Sequence, residues 1–229
     1  IINSPSNPTG GVTSKEELKK IYQLANKFNL WIISDEIYAR IIYPGGPEFY
    51  SLGSIDKCKE RTIIVNGFSK AYAMTGWRIG VVTAPTFLTK KMNLLLESSL
   101  SCVPGFIQEG ASEALALKDE IWRPYLNAYK ERRDHLVRGL NTIKGFSCTI
   151  PNGAFYAFPN IKDTGFDDIE VANKLLNECG IAITPGSFFG SKGKTNIRFS
   201  YVCGLPEIDE AIKRMQAYFG IKTNKTIIH

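Results

Sequence analysis

Paired cysteines and clustered histidines are missing from this sequence, which argues against a metal-binding protein. Zinc sites draw on closely spaced ligand pairs. Only two histidines are present and they lie far apart, while five cysteines occur without paired spacing, at positions 58, 102, 148, 179 and 203. We therefore expect reduced, ordinary cysteines and no metal site.

Long apolar runs are also absent. No run reaches the roughly 18 residues that a membrane span requires, and no charged-then-apolar leader opens the chain. We expect no membrane partner and a cytoplasmic location. The chain begins Ile1-Ile2-Asn3 rather than with methionine, and this opening is typical of the end of a buried strand. We therefore expect a fragment of a longer protein.

The composition indicates a globular fold, because 44% of the 229 residues are apolar. The net charge of +6 could attract an anionic partner. However, the basic residues are spread along the chain, and their densest cluster is interleaved with Glu131 and Asp134 on a predicted helix. That cluster comprises Lys130, Arg132, Arg133 and Arg138. We interpret it as a solvated helix face and expect no nucleic-acid partner.

The first half alternates helical stretches with short apolar runs, a pattern typical of strands joined by crossover helices. Ser14 and Glu17 form a capping box that predicts a helix over residues 15–28. The runs 30–33 and 62–65 predict strands that are buried on both faces, so a mostly parallel sheet is expected. A further strand over 78–83 and helices over 85–100 and 104–117 complete this half.

The second half predicts a smaller α+β unit. A helix carrying Trp122 and Leu140 on one face bridges into it, and we place the domain boundary there, with domains at residues 1–120 and 121–229. Strands are expected over 146–150, 154–158, 181–184 and 196–201. One helix ends at Gly180, and a final helix opens at Pro206 before a loose tail over residues 222–229.

Polar residues follow three of the predicted strands in the first half. They occupy positions 3–7, 35–38 and 66–70. Open parallel sheets bind ligands at the carboxyl ends of their strands. The sequence therefore predicts a crevice at this edge.

The segments Asn3-Ser-Pro-Ser-Asn-Pro-Thr-Gly10, Ser34-Asp-Glu-Ile-Tyr38 and the run from Gly67 to Gly80 together resemble the class I/II aminotransferases. The resemblance continues through Pro151-Asn-Gly-Ala-Phe-Tyr156 and Asn196-Ile-Arg-Phe-Ser-Tyr201 and so covers essentially the whole chain. It implies an α/β fold: a large pyridoxal-phosphate domain, incomplete at its N-terminal side, and a smaller C-terminal α+β domain.

The resemblance implies pyridoxal 5'-phosphate as cofactor, with Lys70 as its covalent anchor and the base that moves the substrate's α-proton. Asp35 is implied as the carboxylate against the pyridine nitrogen. Tyr38 and Asn7 are implied as donors to the ring's phenolic oxygen, while Glu36 is expected to be structural. Lys70, Asp35 and Tyr38 are therefore the catalytic candidates.

The phosphate ligands implied by the family are less complete here. Arg78 matches the arginine that binds the phosphate, and Ser69 is a further candidate for cofactor binding. The family often places a serine three residues before the lysine, but this chain has Gly67 there. Arg198 matches the arginine that binds the substrate's α-carboxylate, and Asn7 is expected to contact the substrate as well.

The implied function is transfer of an amino group from an L-amino acid to a 2-oxo acid, in a full-length protein that forms a homodimer. Two alternatives stay open. The same fold also serves lyases and synthases that use this cofactor, since one carbanion can follow several routes. A truncated, non-catalytic module is the other.

Overall fold

The structure is a computed structural model that describes residues 1–222. These residues form two compact units. The first comprises residues 1–7, 11–124 and 152–154, and the second comprises residues 8–10, 125–151 and 155 onward. The domain boundary at residue 120 stays a prediction.

The first unit contains a β-sheet and the α-helices that accompany it. In chain order these are β1 (Ile2–Asn3), α1 (Lys15–Lys27), β2 (Ile32–Asp35), α2 (Gly53–Asp56), β3 (Thr62–Gly67), β4 (Gly80–Thr83), α3 (Thr86–Ser99) and α4 (Gly105–Ala116). The strands form one sheet in the order β1-β2-β3-β4. The first three are parallel and β4 runs antiparallel to β3, which confirms a mostly parallel sheet.

Helix α1 forms as the sequence predicts. Ser14 caps it, and both hydrogen bonds of the capping box with Glu17 are present. Its buried face packs against one side of the sheet in a cluster of Leu18, Ala25, Ile32, Leu52, Cys58 and Ile64. Burial of this apolar stripe is what holds the helix on the sheet.

The prediction that strand β2 is buried on both faces was wrong. The strand begins two residues later than predicted, because Leu30 N donates to Ala25 O in the turn that follows α1 and not to the neighbouring strand. Ile32 is buried, whereas Trp31 is 50% and Ile33 37% exposed. Only the face covered by α1 is inside the core.

The second unit consists of α5 (Arg123–Thr142, whose first two residues belong to the first unit), β5 (Tyr156–Ala157), α6 (Asp168–Cys179), β6 (Thr184–Pro185), β7 (Ile197–Ser200) and α7 (Leu205–Phe219). Its strands form an antiparallel sheet in the order β5-β7-β6. The prediction that a helix ends at Gly180 is confirmed, because Cys179 is the last residue of α6. Gly180 caps the helix in the left-handed conformation. The expected strand over 146–150 was wrong, since Ser147 forms only an isolated bridge with Asn160.

Two further expectations for this unit are corrected. Arg133 does not lie on a solvated face: it is 5% exposed, pairs with Asp134 and donates from Nη1 to Pro151 O at 3.0 Å. Lys222 is not loose, because its N donates to Thr142 O and its Nζ to Phe146 O. Residues 223–229 of the predicted tail lie outside the described residues.

Neither a membrane span nor a metal cluster is found between residues 1 and 222. None of the helices there is long and apolar enough to cross a membrane. No group of three or more potential metal ligands occurs in the same range. The five cysteines are free thiols, and burial raises the pKa of Cys148 to about 11.

Candidate functional site

The first candidate site lies where β1, β2 and β3 end. The parallel register places Asn3 opposite Asp35, and Asp35 opposite Val65. Parallel strands in register end at one edge, so the segments that follow them start side by side. The structure thus brings together the starting points of the three polar segments that the sequence singles out.

The segment after β1 is tied back to the strand ends. Asn7 N donates to Asn3 Oδ1 at 2.7 Å, and Asn3 Nδ2 donates to Asp35 O at 3.3 Å. Ser4, which sequence reasoning missed, is buried and accepts a hydrogen bond from Thr13 N at 3.0 Å. Asn7 is therefore held close to the edge that carries Asp35.

The turn after β2 presents Asp35 and buries its neighbours. Asp35 Oδ1 accepts from Ile37 N at 3.2 Å, a side-chain turn that orients the carboxylate. Tyr38 is buried, and its carbonyl accepts from Ile41 N at 2.8 Å. Asp35 and Tyr38 thus sit on one short, internally hydrogen-bonded turn.

Glu36 has the structural contacts expected from the sequence. It is 4% exposed, and its Oε1 accepts from Ser34 Oγ at 3.0 Å, Ser51 Oγ at 2.9 Å and Leu52 N at 3.3 Å. Burial raises the pKa of this carboxyl above its usual range, against the opposing effect of those three hydrogen bonds. The Glu36 side chain therefore links the end of β2 to the two residues that precede α2, Ser51 and Leu52.

The loop that carries Lys70 follows β3 directly and is firmly packed. Tyr72 N donates to Phe68 O at 3.0 Å, and Phe68 and Met74 are buried against α4 residues Ala111 and Ala114. The side chains of Ser69 and Lys70 are half-buried. The backbone on either side of Lys70 is therefore fixed, while the residue itself is half-buried.

Gly67 occupies a position with little room for a side chain. A Cβ there would lie 3.1 Å from Ile37 Cδ1 and 3.2 Å from Ile79 O. A serine at this position would require its neighbours to shift. The packing therefore accounts for glycine where the family often has a serine.

Arg78 follows a short 3-10 helix at Thr75–Trp77 and adopts a left-handed conformation with φ of 52°. Its side chain is exposed, and Nη1 donates to Thr75 O at 2.9 Å. An exposed guanidinium whose orientation is partly fixed in this way can bind an anion in bidentate fashion.

A cavity of about 360 Å³ lies against one face of β3 and β4. It is lined by Asn66 and Val81, which pair across the two strands, and by Arg40 and Tyr72, whose guanidinium and ring are 5.0 Å apart. Phe68 and Ala71 also line it, but Lys70 is not among its described lining residues.

Arg198 belongs to the second unit. Its Nη2 donates to Thr184 Oγ1 at 3.1 Å, and its guanidinium carbon lies 4.6 Å from the ring centre of Tyr156 and 4.9 Å from that of Phe189. Sequence reasoning singled out Arg198 but missed Thr184 and Phe189. The strand register places Thr184 beside Arg198, and a short 3-10 helix outside the sheet brings Phe189 to it; no short motif shows either contact.

A family model described as aminotransferase class I and II matches residues 1–215. The chain belongs to this family. Its match to the family model spans both compact units, so the strand ends of the first unit and Arg198 of the second are both part of the aminotransferase match.

Individual aminotransferases are similar over nearly the whole chain. A putative aminotransferase of Bacillus subtilis, YugH, is 42% identical over 95% of this chain, and an aspartate aminotransferase of Pyrococcus abyssi is 44% identical over 94% of it. The crystal structure of an aromatic aminotransferase from Pyrococcus horikoshii superposes with a TM-score of 0.91, at 39% identity, over 95% of this chain and 58% of that one.

The chain spans about half the length of the curated relatives it matches. It covers 56% of YugH and 56% of the Pyrococcus abyssi protein. The family and the fold are therefore established for the matched part of this chain. The relatives contain a further stretch of sequence that has no counterpart in this chain.

Proposed function

We propose that this chain supplies the cofactor-anchoring and substrate-binding residues of a pyridoxal-phosphate-dependent aminotransferase that acts on amino acids and 2-oxo acids. The observation that carries the proposal is the strand register, which places Asn3 beside Asp35 at the edge from which the Lys70 loop also starts. Membership of the family, and relatives named for aspartate and aromatic amino acids, support the reaction class.

The residues present fit the cofactor. Its aldehyde requires an amine, and Lys70 offers one from a packed loop. Its pyridine nitrogen requires a carboxylate, which Asp35 offers from a strand end. Its phosphate requires a forked cation, which the exposed Arg78 offers. Gly67 carries no hydroxyl, and a Cβ there would crowd Ile79 O. We propose Ser69, on the same loop, as a hydroxyl donor to the phosphate.

When bound, pyridoxal 5'-phosphate supplies an electron sink for negative charge that develops at the substrate's Cα. In the proposed mechanism the Lys70 amine would take the proton from the substrate's Cα as a general base and hold it as an ammonium. Lys70 would then be the general acid for the protonation that follows. Asp35 holds a proton on the pyridine nitrogen. Tyr38 and Asn7 donate hydrogen bonds to the phenolic oxygen.

The remaining residues position the reacting groups. Arg78 and Ser69 would hold the phosphate, and Arg198, with Asn7, would hold the substrate's α-carboxylate. Fixing the carboxylate limits the orientations open to the Cα–H bond, and such orientation lowers the entropic part of the barrier.

We propose further that the full-length protein is a cytoplasmic homodimer. Support for the dimer comes from the family resemblance and from large apolar side chains that the first unit leaves exposed, such as Leu95 and Phe106. Sedimentation equilibrium that finds only monomers at micromolar concentration would contradict this part of the proposal.

The reaction is tested by incubating the protein and pyridoxal 5'-phosphate with amino donors and 2-oxo acid acceptors. We expect amino transfer that depends on the acceptor and is lost in Lys70→Arg, with Lys57→Arg, an exposed lysine, as the matched control. Release of ammonia and a 2-oxo acid without any acceptor would instead indicate a lyase. Failure of every donor and acceptor pair would favour a non-catalytic module.

A further inference from the structure

The environment of Arg198 suggests how its guanidinium is oriented. Thr184 is directly opposite Arg198 in the β6–β7 pair, and Tyr156 is opposite Ser200 in the β5–β7 pair. Residues two apart on a strand share a face. Thr184, Arg198 and Tyr156 therefore project from the same face of this sheet.

The other face of the sheet belongs to the core. Three residues of β5 and β7 alternate along the strands with Tyr156, Arg198 and Ser200. They are buried: Ala157, Ile197 and Phe199. A one-residue slip of β7 would put Arg198 into that core, so the apolar residues fix the strand register. The register in turn fixes the side from which Arg198 meets Thr184 and Tyr156.

Phe189 completes the surroundings from outside the sheet. It ends a short 3-10 helix at Gly186–Phe189, and a Cβ on Gly186 would lie 2.2 Å from Gly193 O. The backbones at Gly186 and Gly193 are thus in direct contact. This contact holds the turn that places the Phe189 ring 4.9 Å from the guanidinium carbon.

We propose that Thr184, Tyr156 and Phe189 are positioning residues that fix the orientation of the Arg198 guanidinium, so that a set edge of it meets the carboxylate of an amino acid or 2-oxo acid. The two rings restrict the plane of the guanidinium through cation–π contact. The Thr184 hydroxyl restricts its rotation within that plane. This inference rests on the proposed role of Arg198 in binding the substrate's carboxylate.

Preorganisation is the physical gain. An arginine side chain loses rotamer freedom when it binds, and an orientation fixed beforehand reduces that loss. A bidentate pair with a carboxylate also depends on the direction in which the fork points. Loss of Thr184 or Phe189 should therefore weaken carboxylate binding without removing the charge that binds it.

The first test measures rotation of the Arg198 guanidinium by nitrogen-detected NMR of the chain without ligand. We expect slow rotation in the unaltered chain and in Thr184→Ser, which keeps the hydroxyl, and faster rotation in Thr184→Val, which keeps only the shape. Phe189→Leu should also rotate faster, whereas Phe188→Leu, which alters an exposed neighbouring ring, should not. Equal rotation in Thr184→Val and Thr184→Ser would overturn the inference.

The second test titrates pyruvate into the same variants and into Arg198→Lys, with the uncharged amide of pyruvate as control ligand. Thr184→Val should weaken pyruvate binding about fivefold, the weight of one hydrogen bond, and Thr184→Ser should restore it. If Arg198→Lys binds pyruvate as well as the unaltered chain, the proposed role of Arg198 fails. If Arg198→Lys loses binding but Thr184→Val does not, only the positioning role fails.

Discussion

Helix α7 of the second unit and helix α3 of the first unit differ in what they bury. In the second unit, α7 buries Ile208, Ile212 and Met215 in a stripe at helical spacing. In the first unit, α3 has three consecutive leucines, Leu94 to Leu96, yet none of its residues is buried. Both helices are rich in apolar residues, so apolar content alone does not decide which of them forms part of a core.

The contrast between α7 and α3 indicates which helices contribute most to the stability of these residues. A helix is held by the apolar stripe that it buries, and its intrinsic propensity contributes less. We therefore expect α5, α6 and α7 to resist unfolding more strongly than α3 does. Four sets of variants, in order of expected size, test this contrast and its limits.

The largest effect is expected from matched leucine truncations. Leu140 of α5 is fully buried and Leu95 of α3 is 70% exposed. Leu140→Ala should lower the free energy of unfolding by about 2–5 kcal/mol, through lost burial and the cavity left behind. Leu95→Ala should change it by less than about 0.5 kcal/mol. Equal losses in urea unfolding would refute the contrast.

Glycine substitutions come next. A Cβ at Gly186 would lie 2.2 Å from Gly193 O, whereas one at Gly105, the first residue of α4, would meet nothing within 4 Å. Gly186→Ala should cost roughly 1–3 kcal/mol because backbone atoms must move apart. Gly105→Ala should leave the thermal midpoint unchanged or slightly raised. A tolerated alanine at residue 186 would contradict the close packing described for this turn.

The helix caps should not distinguish the two units. Ser14 caps α1 and Asp167 caps α6, each through a complete capping box. Alanine at either position should cost about 1 kcal/mol, because capping satisfies local backbone donors whatever the unit buries. Chemical denaturation of the two variants provides the comparison. A cost confined to one unit would show that the caps also depend on tertiary packing.

The smallest effect concerns the pH dependence due to Glu36. Its raised pKa means that the folded chain keeps this proton at a pH where the unfolded chain has lost it. Its contribution to stability is therefore fully present below the unfolded pKa of about 4.3, and is lost as pH rises through the folded value. The stability of the unaltered chain relative to Glu36→Gln should fall as the pH rises from the unfolded pKa through the folded one. A difference that stays constant or grows would exclude this linkage.

Local signals predicted much of the fold. The capping box of α1, the apolar run of β3 and the glycine that ends α6 each depend on neighbouring residues, so the sequence contains them. The exposure of Ile33 and the burial of Arg133 depend on which faces distant elements cover. Periodicity could not show either of them.

The candidate site likewise has parts that the sequence predicted and parts that only the tertiary structure shows. The segments containing Asn7, Asp35 and Lys70 were found from the sequence, because motif and strand end coincide there. Their assigned roles, with those of Tyr38, Ser69, Arg78 and Arg198, remain proposals. The contacts of Glu36 with Ser51 and of Arg198 with Thr184 depend on tertiary structure and on register, and no short pattern contains them.

Chemical trapping at Lys70 tests most directly whether this residue anchors the cofactor. The protein is incubated with pyridoxal 5'-phosphate, reduced with borohydride, digested and mapped by mass spectrometry. We predict one borohydride-stable pyridoxyl-phosphate adduct on Lys70, absent from Lys70→Arg and unaffected in Lys57→Arg. An adduct spread over exposed lysines, with Lys70 unmodified, would contradict the proposal that Lys70 is the covalent anchor of the cofactor.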